Sequence, residues 1–230
     1  TKLDTLARVG WKNLEIWTNQ GVIENVGAVS LLNEYDFDYA VHSPTDYFDN
    51  TVIDFASNIG AKVINTHKIL PNEDLAKCVA YAKSKGITVT VENEAFPESH
   101  HLKDGTVLKT VAPDRYDPVR SAGDFLRMQE EVPDVKLCID VEHALIRKEW
   151  PAILQGVFVE EDIGHIHLCG FTGGAHHQPV YANMELVEEV TRLLRLGDYQ
   201  GFVICEHDTE FHNEEVWTET LDKCTPFFGD

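Results

Sequence analysis

The sequence predicts an α/β fold, a single (β/α)8 TIM barrel over residues 1–230. Short runs rich in β-branched residues alternate with segments of helical periodicity, which is typical of a parallel sheet covered by helices. The chain length of 230 residues also suits such a barrel, which needs about 200–250 residues. Seven strand-like runs are present instead of eight. We therefore expect the first strand to be missing or the barrel to be incomplete.

The strand-like runs share an apolar interior bounded by polar or turn residues. They are Asn13–Thr18, Tyr39–Ser43, Lys62–His67, Ile87–Asn93, Lys136–Val141, Ile163–Cys169 and Gly201–Glu206. A doubly wound open sheet is the structural alternative, but the chain contains no GxGxxG turn that would support it.

Helical segments lie between these runs. In Asn72–Lys85 the apolar residues recur at helical spacing, and Asn72 is the predicted cap. Pro118 is predicted to occupy the first position of another helix, whose inner face comprises Val119, Ala122, Phe125 and Leu126. Further helices are predicted at Leu3–Val9, at Met184–Leu196 and from Asn213 onward.

One connection, residues 95–116, is much longer than the others. Long structureless loops in compact domains are usually functional, so we expect this βα loop to lie over the catalytic face of the barrel. A tolerated surface insertion is the alternative interpretation.

Charge and composition narrow the classes of partner. The chain has 19 Lys and Arg against 39 Asp and Glu, a net charge of -20, which disfavours phosphate backbones and anionic membrane surfaces. No apolar run approaches the roughly 18 residues of a membrane span. The five cysteines form no CxxC pair, which is typical of free thiols in a reducing compartment. We expect a cytoplasmic protein.

Acids and histidines stand at or just past the carboxyl end of most strand-like runs. They are Glu15, His42, His67, Glu92, Asp140, His143, His165, His167 and Glu206. Parallel strands all end at the same face, so these side chains are expected to converge. Such a group repels itself unless a cation or protons neutralise it, and the sequence therefore predicts a divalent metal site. The alternative is that the acids pair with Lys or Arg at the rim of the barrel.

The types of ligand restrict the ion. Oxygen and nitrogen donors favour Mn, Mg, Co or Zn over metals that select thiolates. His165 and His167 are two residues apart on a strand, so both imidazoles face the same side. One of them is expected to reach the ion and the other to face substrate or a loop.

Five motifs, taken in order, resemble the xylose-isomerase-like TIM-barrel superfamily. They read Val-His-Ser-Pro, Val-Glu-Asn-Glu, Cys-Ile-Asp-Val-Glu-His-Ala, Gly-His-Ile-His-Leu and Ile-Cys-Glu-His-Asp. This superfamily includes sugar phosphate isomerases/epimerases, ketose 3-epimerases and the endonuclease IV class. The resemblance spans the chain from about Gly10 to Cys224.

The resemblance implies a divalent ion held by Glu92, Asp140, His167 and Glu206. Glu92 and Glu206 would also act as the acid/base pair, and His143 would contact substrate. The implied function is a metal-dependent isomerase or epimerase that acts on a sugar or sugar phosphate by proton transfer through an enediolate. Other candidate substrate contacts are Lys68, Trp17 and His207. A homo-oligomer is compatible with this class of barrel.

Two rival interpretations remain open. The endonuclease IV branch would make the chain a zinc-dependent phosphodiesterase on abasic DNA. That branch places further zinc ions at positions that match His42, His67 and His143, and its loop histidine lies near His177. These four residues are therefore candidates for a second metal or for substrate contact. The loop lacks the expected Asp, because Ala175 stands two residues before His177. The second rival is a degenerate barrel that binds a metal or polyol without turnover.

Overall fold

Seven parallel strands form the central sheet of the computed structural model, which describes residues 1–94, 99–101, 107–109, 118–148, 150, 162–172 and 175–228. In chain order the strands are β1 Asn13–Trp17, β2 Asp38–His42, β3 Val63–Thr66, β4 Thr88–Glu92, β5 Ser99–His101, β6 Val107–Lys109, β7 Lys136–Asp140, β8 Ile163–Leu168, β9 Gly170–Thr172, β10 Ala175–Gln178 and β11 Phe202–Cys205. The central sheet has the order β1-β2-β3-β4-β7-β8-β11. β5–β6 and β9–β10 are small antiparallel hairpins.

Helices follow most of the central strands. They are α1 Lys2–Val9, α2 Gln20–Ile23, α3 Val26–Leu32, α4 Asn50–Asn58, α5 Asn72–Ser84, α6 Ala122–Glu131, α7 Val141–Ile146, α8 Met184–Leu196 and α9 Glu214–Phe228, with short 3₁₀ turns at Val180–Asn183 and Thr209–Phe211. The inner strands are covered on both faces, so Val41, Ile64 and Ile139 are fully buried. This burial explains why their sequences read as continuous apolar runs.

The sheet is nearly closed into a barrel and stays open at one side. β1 and β11 are its two ends, and no strand lies between them in the described part of the chain. A cavity of about 650 Å³ lies at this opening, lined by residues of β1, β11, α1 and α9. The prediction of a (β/α)8 barrel with an incomplete strand set is therefore confirmed.

Two predicted helix starts are wrong. Pro71 precedes the first residue of α5, so Asn72 is helical and does not cap, and its amide donates instead to Glu131 of α6 at 2.9 Å. The helix predicted to begin at Pro118 begins at Ala122, because the Ser121 side chain accepts the backbone N–H of Asp124 and caps it there.

The inner face of α6 also differs from the prediction. Val119 and Phe125 are buried as predicted, but Leu126 is 41% exposed and Met128 packs into the core in its place.

Most of the long loop predicted at residues 95–116 lies outside the described residues, apart from the two strands β5 and β6. The cysteines Cys78, Cys138, Cys169, Cys205 and Cys224 are free thiols, as predicted. Among the described helices, none is both long enough and apolar enough to cross a membrane.

Candidate metal centre

Four of the predicted site residues meet at the carboxyl ends of the central strands. Glu92 ends β4, Asp140 ends β7, His167 lies in β8 and Glu206 directly follows β11. Ligand atoms of Glu92, Asp140 and His167 all lie within 4.8 Å of one another. Glu206 Oε2 is 3.2 Å from His167 Nδ1. Asp140 and His167 are also direct partners in the parallel register of β7 and β8, which places their side chains beside each other.

His167 is oriented by Glu15 of β1. Glu15 Oε1 lies 3.1 Å from His167 Nε2, and Glu15 Oε2 lies 2.6 Å from His165 Nε2. Burial alone would raise the pKa of Glu15, but the charges of His167 and His165 hold it well below its ordinary value. The ionised carboxylate can only accept hydrogen bonds, so both imidazoles donate from Nε2. The contact of His165 with Glu15 in the barrel interior corrects the expectation that it would face substrate or a loop.

This arrangement directs the other ring nitrogen of His167, Nδ1, into the acidic cluster. The atom is buried and has no hydrogen-bond partner among the described residues. Its neighbours are Glu206 Oε2 at 3.2 Å and Glu92 Oε2 at 3.5 Å, both carboxylate oxygens. Burial would lower the pKa of His167, but Cys138 and the carboxylates of Glu15, Glu92 and Glu206 raise it well above its ordinary value. Without an ion a proton on Nδ1 therefore offsets the charge of the acids, and a divalent cation can take the place of that proton. The donor set of oxygen and imidazole nitrogen therefore fits a divalent ion.

Asn93 fixes the ends of β4 and β7 against each other. Its Oδ1 accepts the Asp140 backbone N–H at 2.7 Å, and its Nδ2 donates to the Asp140 carbonyl at 3.0 Å. The Asp140 carboxylate in turn accepts the His143 backbone N–H at 2.8 Å and caps α7. His143 Nδ1 donates to the Asn93 carbonyl at 2.8 Å. These bonds hold Asp140 in place without using its second carboxylate oxygen.

Protons balance the charge of this buried cluster. Burial raises the pKa of Asp140 to about 6, and Glu92 adds to the shift. Burial would lower the pKa of His143, but the carboxylates of Asp140 and Glu92 raise it to about 9. For Glu92 itself, the charges of His167 and His67 outweigh burial and hold the pKa well below its ordinary value. The acids are thus neutralised by protonated imidazoles, a role that a divalent cation can take over.

Two further predicted histidines share Glu92 with this cluster. Ligand atoms of His42, His67 and Glu92 lie within 4.8 Å of one another. His42 Nε2 is 3.3 Å from Glu92 Oε2, and His67 Nδ1 is 2.7 Å from Glu94 Oε1. The Trp17 ring stacks on His42 with centroids 4.4 Å apart and is 56% exposed, so it stands at the rim of the site.

The remaining predicted residues lie in different surroundings. His177 borders the cluster, with Nδ1 3.9 Å from Glu206 Oε1. Lys68 is buried and donates to the Leu70 carbonyl in its own loop. His207 is buried as well, and its Nε2 accepts the Val180 N–H at 3.4 Å. The contacts of His207 are therefore directed to the loop that follows β10.

Sequence reasoning did not assign roles to Glu15 or Asn93. Glu15 carried a signal, because it lies near the end of its strand, but its partners lie on a strand that is not its neighbour in the sheet. Asn93 follows Glu92 directly in the Val-Glu-Asn-Glu motif. An Asn between two acids at a strand end is the signal that could have indicated a structural clamp.

Comparison with known proteins places this site in a family context. Residues 50–226, more than half of the chain, match the model of the xylose isomerase-like TIM barrel. No curated protein gives a significant match.

Among solved structures, the chain is similar to an L-ribulose 3-epimerase (14% identity, 99% of this chain and 86% of that chain, TM-score 0.60). It is also similar to a sugar phosphate isomerase/epimerase from Parabacteroides distasonis (14% identity, 98% and 90%, TM-score 0.58). A third similar structure is a family 2 AP endonuclease from Brucella melitensis (14% identity, 98% and 92%, TM-score 0.64). Identities this low show a shared fold alone. The family model covers most of the chain, and the chain belongs to the xylose isomerase-like TIM-barrel family.

Proposed function

We propose that this chain is a divalent-metal-dependent isomerase or epimerase that acts on a sugar or sugar phosphate. One observation carries the proposal. The carboxylates of Glu92 and Glu206 approach the buried, unpartnered Nδ1 of His167 at 3.5 and 3.2 Å, and Asp140 completes a set of four ligands. The named epimerase and isomerase/epimerase among the structures of similar fold support the same reaction class.

The reaction removes a proton from a carbon beside a carbonyl group and leaves an enediolate. A bound divalent ion supplies Lewis-acid stabilisation of the negative charge on the substrate oxygens. The side chain of Glu206 is 25% exposed and that of Glu92 only 4% exposed, so Glu206 is the more accessible base. The charge of His167 outweighs burial and lowers the pKa of Glu206, which keeps this carboxylate ionised and able to accept the proton.

The second carboxylate distinguishes the two reactions. In an isomerisation one carboxylate carries the proton between neighbouring carbons. In an epimerisation a second group, here Glu92, returns a proton on the opposite face of the substrate. His143 donates from Nδ1 to a backbone carbonyl, which leaves its Nε2 for a substrate oxygen. The exposed ring of Trp17 offers a surface on which a sugar ring can stack.

Proton exchange tests this proposal directly. The protein, loaded in turn with Mn, Mg, Co or Zn, is incubated in D₂O with a panel of ketoses and ketose phosphates, and NMR follows the loss of the C–H signal beside the carbonyl. We expect Glu206→Gln to lower the exchange rate by at least about 10²-fold. The exposed Glu210, in the nearby 3₁₀ turn, provides the matched control Glu210→Gln. Exchange at the wild-type rate in Glu206→Gln would refute the role of this carboxylate.

The His42–His67–Glu92 group favours a second candidate, a zinc-dependent phosphodiesterase on abasic DNA. If this second candidate is correct, we expect each chain to bind three zinc ions and to cleave abasic-site DNA. The net charge of -20 opposes DNA binding. Cleavage of abasic-site DNA, together with no proton exchange on any sugar, would replace the first proposal by this one. Metal or sugar binding without either turnover would indicate the degenerate barrel.

A further inference from the structure

A second group of side chains of types that can bind metals surrounds Glu142, which lies two residues after Asp140 in the chain. Glu142 lies in α7 and is buried. Three contacts converge on its carboxylate, namely Cys169 Sγ at 2.7 Å, His176 Nδ1 at 2.6 Å and the His177 backbone N–H at 2.8 Å. The contacting groups come from two places, the residue after β8 and the strand β10. None of these residues except His177 belongs to the set predicted for the centre described above.

Three of the side chains in this group are close enough to share an ion. Ligand atoms of Glu142, Cys169 and His177 all lie within 4.8 Å of one another. His177 Nδ1 is buried and accepts no hydrogen bond from any residue that the structure describes. Tetrahedral zinc ligands stand about 3.3–3.8 Å apart, as follows from bond lengths of about 2.0–2.3 Å. The two contacts of the Glu142 carboxylate with Cys169 and His176 would therefore widen by about 1 Å on binding.

One of the three groups that contact the Glu142 carboxylate is a weak hydrogen-bond donor. A buried carboxylate needs strong donors, yet Cys169 offers a thiol, which is a weak donor. One carboxylate, one thiolate and two neutral imidazoles carry a total charge that matches a divalent cation. Carboxylate, thiolate and imidazole are also the three ligand types of zinc in proteins.

We propose that Glu142, Cys169, His176 and His177 form a second metal site, suited to zinc or an ion of similar softness. Binding forms a metal–sulfur bond, breaks the S–H bond of Cys169 and releases one proton to solvent. The bound ion joins α7, the end of β8 and the β9–β10 hairpin, and so fixes the hairpin beside Glu206. The site goes beyond the proposed function, because it requires neither a sugar substrate nor an ion at Glu92.

Cobalt substitution tests the proposal through the thiolate. The protein is stripped of metal with a chelator and reconstituted with Co²⁺, because a cysteine thiolate bound to cobalt gives a sulfur-to-metal charge-transfer band in the near ultraviolet. We expect this band in the wild-type protein and its loss in Cys169→Ser. Elemental analysis after zinc loading should find one zinc ion fewer in both Cys169→Ser and Glu142→Gln than in the wild type.

Matched variants separate this site from its neighbours. Cys138 shares a possible ligand group with His165 and His167, and Cys78 is a buried thiol in α5. We expect Cys138→Ser, Cys78→Ser and Asp140→Asn to retain the band. Circular dichroism of each metal-free variant shows whether it folds. A band that is absent from the wild type, persists in Cys169→Ser or disappears in Cys138→Ser would overturn the proposal, as would an unchanged zinc content in folded Glu142→Gln.

Discussion

Replacing Glu15 by Gln should weaken metal binding although Glu15 is not a predicted ligand. Glu15 accepts hydrogen bonds from both His165 and His167, whereas the single amide oxygen of Gln can serve only one imidazole well. The contact with His165 is the shorter, 2.6 Å against 3.1 Å, so we expect His165 to keep the oxygen. The amide NH₂ of the introduced glutamine would then face the Nε2–H of His167, a donor against a donor.

The magnitude follows from the tautomer of His167. The form of His167 that binds an ion is neutral and carries its proton on Nε2. To escape the donor–donor contact, this form must move the proton to Nδ1, the atom that lies 3.2 Å from Glu206 Oε2. A protonated Nδ1 cannot bind an ion. Loss of such a carboxylate partner typically costs a metal-ligating histidine about 10–100-fold in affinity. This range corresponds to about 1.4–2.8 kcal/mol.

Calorimetric titration of the metal-free protein with Mn²⁺ and Zn²⁺ measures this change. Glu34→Gln, an exposed carboxylate on another part of the chain, is the control for loss of a negative charge. The thermal unfolding of both metal-free variants shows whether they remain folded. If folded Glu15→Gln binds both ions as tightly as the wild type, Glu15 does not set the tautomer of His167 and the reasoning fails.

Three other predictions concern the clamp, the core and the ion. Asn93→Ala removes both bonds to the Asp140 backbone and should lower the free energy of unfolding in urea by about 2 kcal/mol; an unchanged midpoint would show that Asn93 is not a clamp. Tyr39→Phe removes a 2.8 Å bond to the Leu32 carbonyl and should cost about 1 kcal/mol. Burial raises the pKa of Tyr39 from 10.0 to about 12, so this residue stabilises the fold below pH 10 and loses its contribution as the pH rises through 12. Wild-type stability should therefore fall more steeply than that of Tyr39→Phe over this range, and parallel curves would contradict the assignment. A divalent ion at a free concentration of 100 times its dissociation constant should raise the free energy of unfolding by about 2.7 kcal/mol. Unfolding with and without a chelator measures this gain, and Asp140→Asn should lose most of it.

The sequence predicts the sheet well because its inner strands are buried on both faces. Each predicted run lies within one or two residues of an observed strand, as Lys136–Val141 does for β7. Helix starts are harder to predict, because α6 begins where Ser121 and Asp124 form a cap and the competing Pro118 signal is equally local. The convergence of strand-end acids also follows from the parallel topology. The topology does not determine which side-chain atoms face each other, because that depends on the curvature and the register of the sheet.

Glu15 illustrates this limit and what it means for the site. It lies on β1, which ends the sheet and pairs only with β2 among the described strands. Its carboxylate nevertheless contacts two imidazoles of β8, the strand next to the far end of the sheet order. This contact exists only because the sheet curls until its ends approach each other. The atom that His167 presents to the carboxylates of Glu92 and Glu206 is thus chosen by a residue on the edge strand. Displacement of β1 from the open side of the barrel would therefore disturb the candidate metal centre before it disturbs the core, because the inner strands keep their neighbours while His167 loses the acceptor for its Nε2–H.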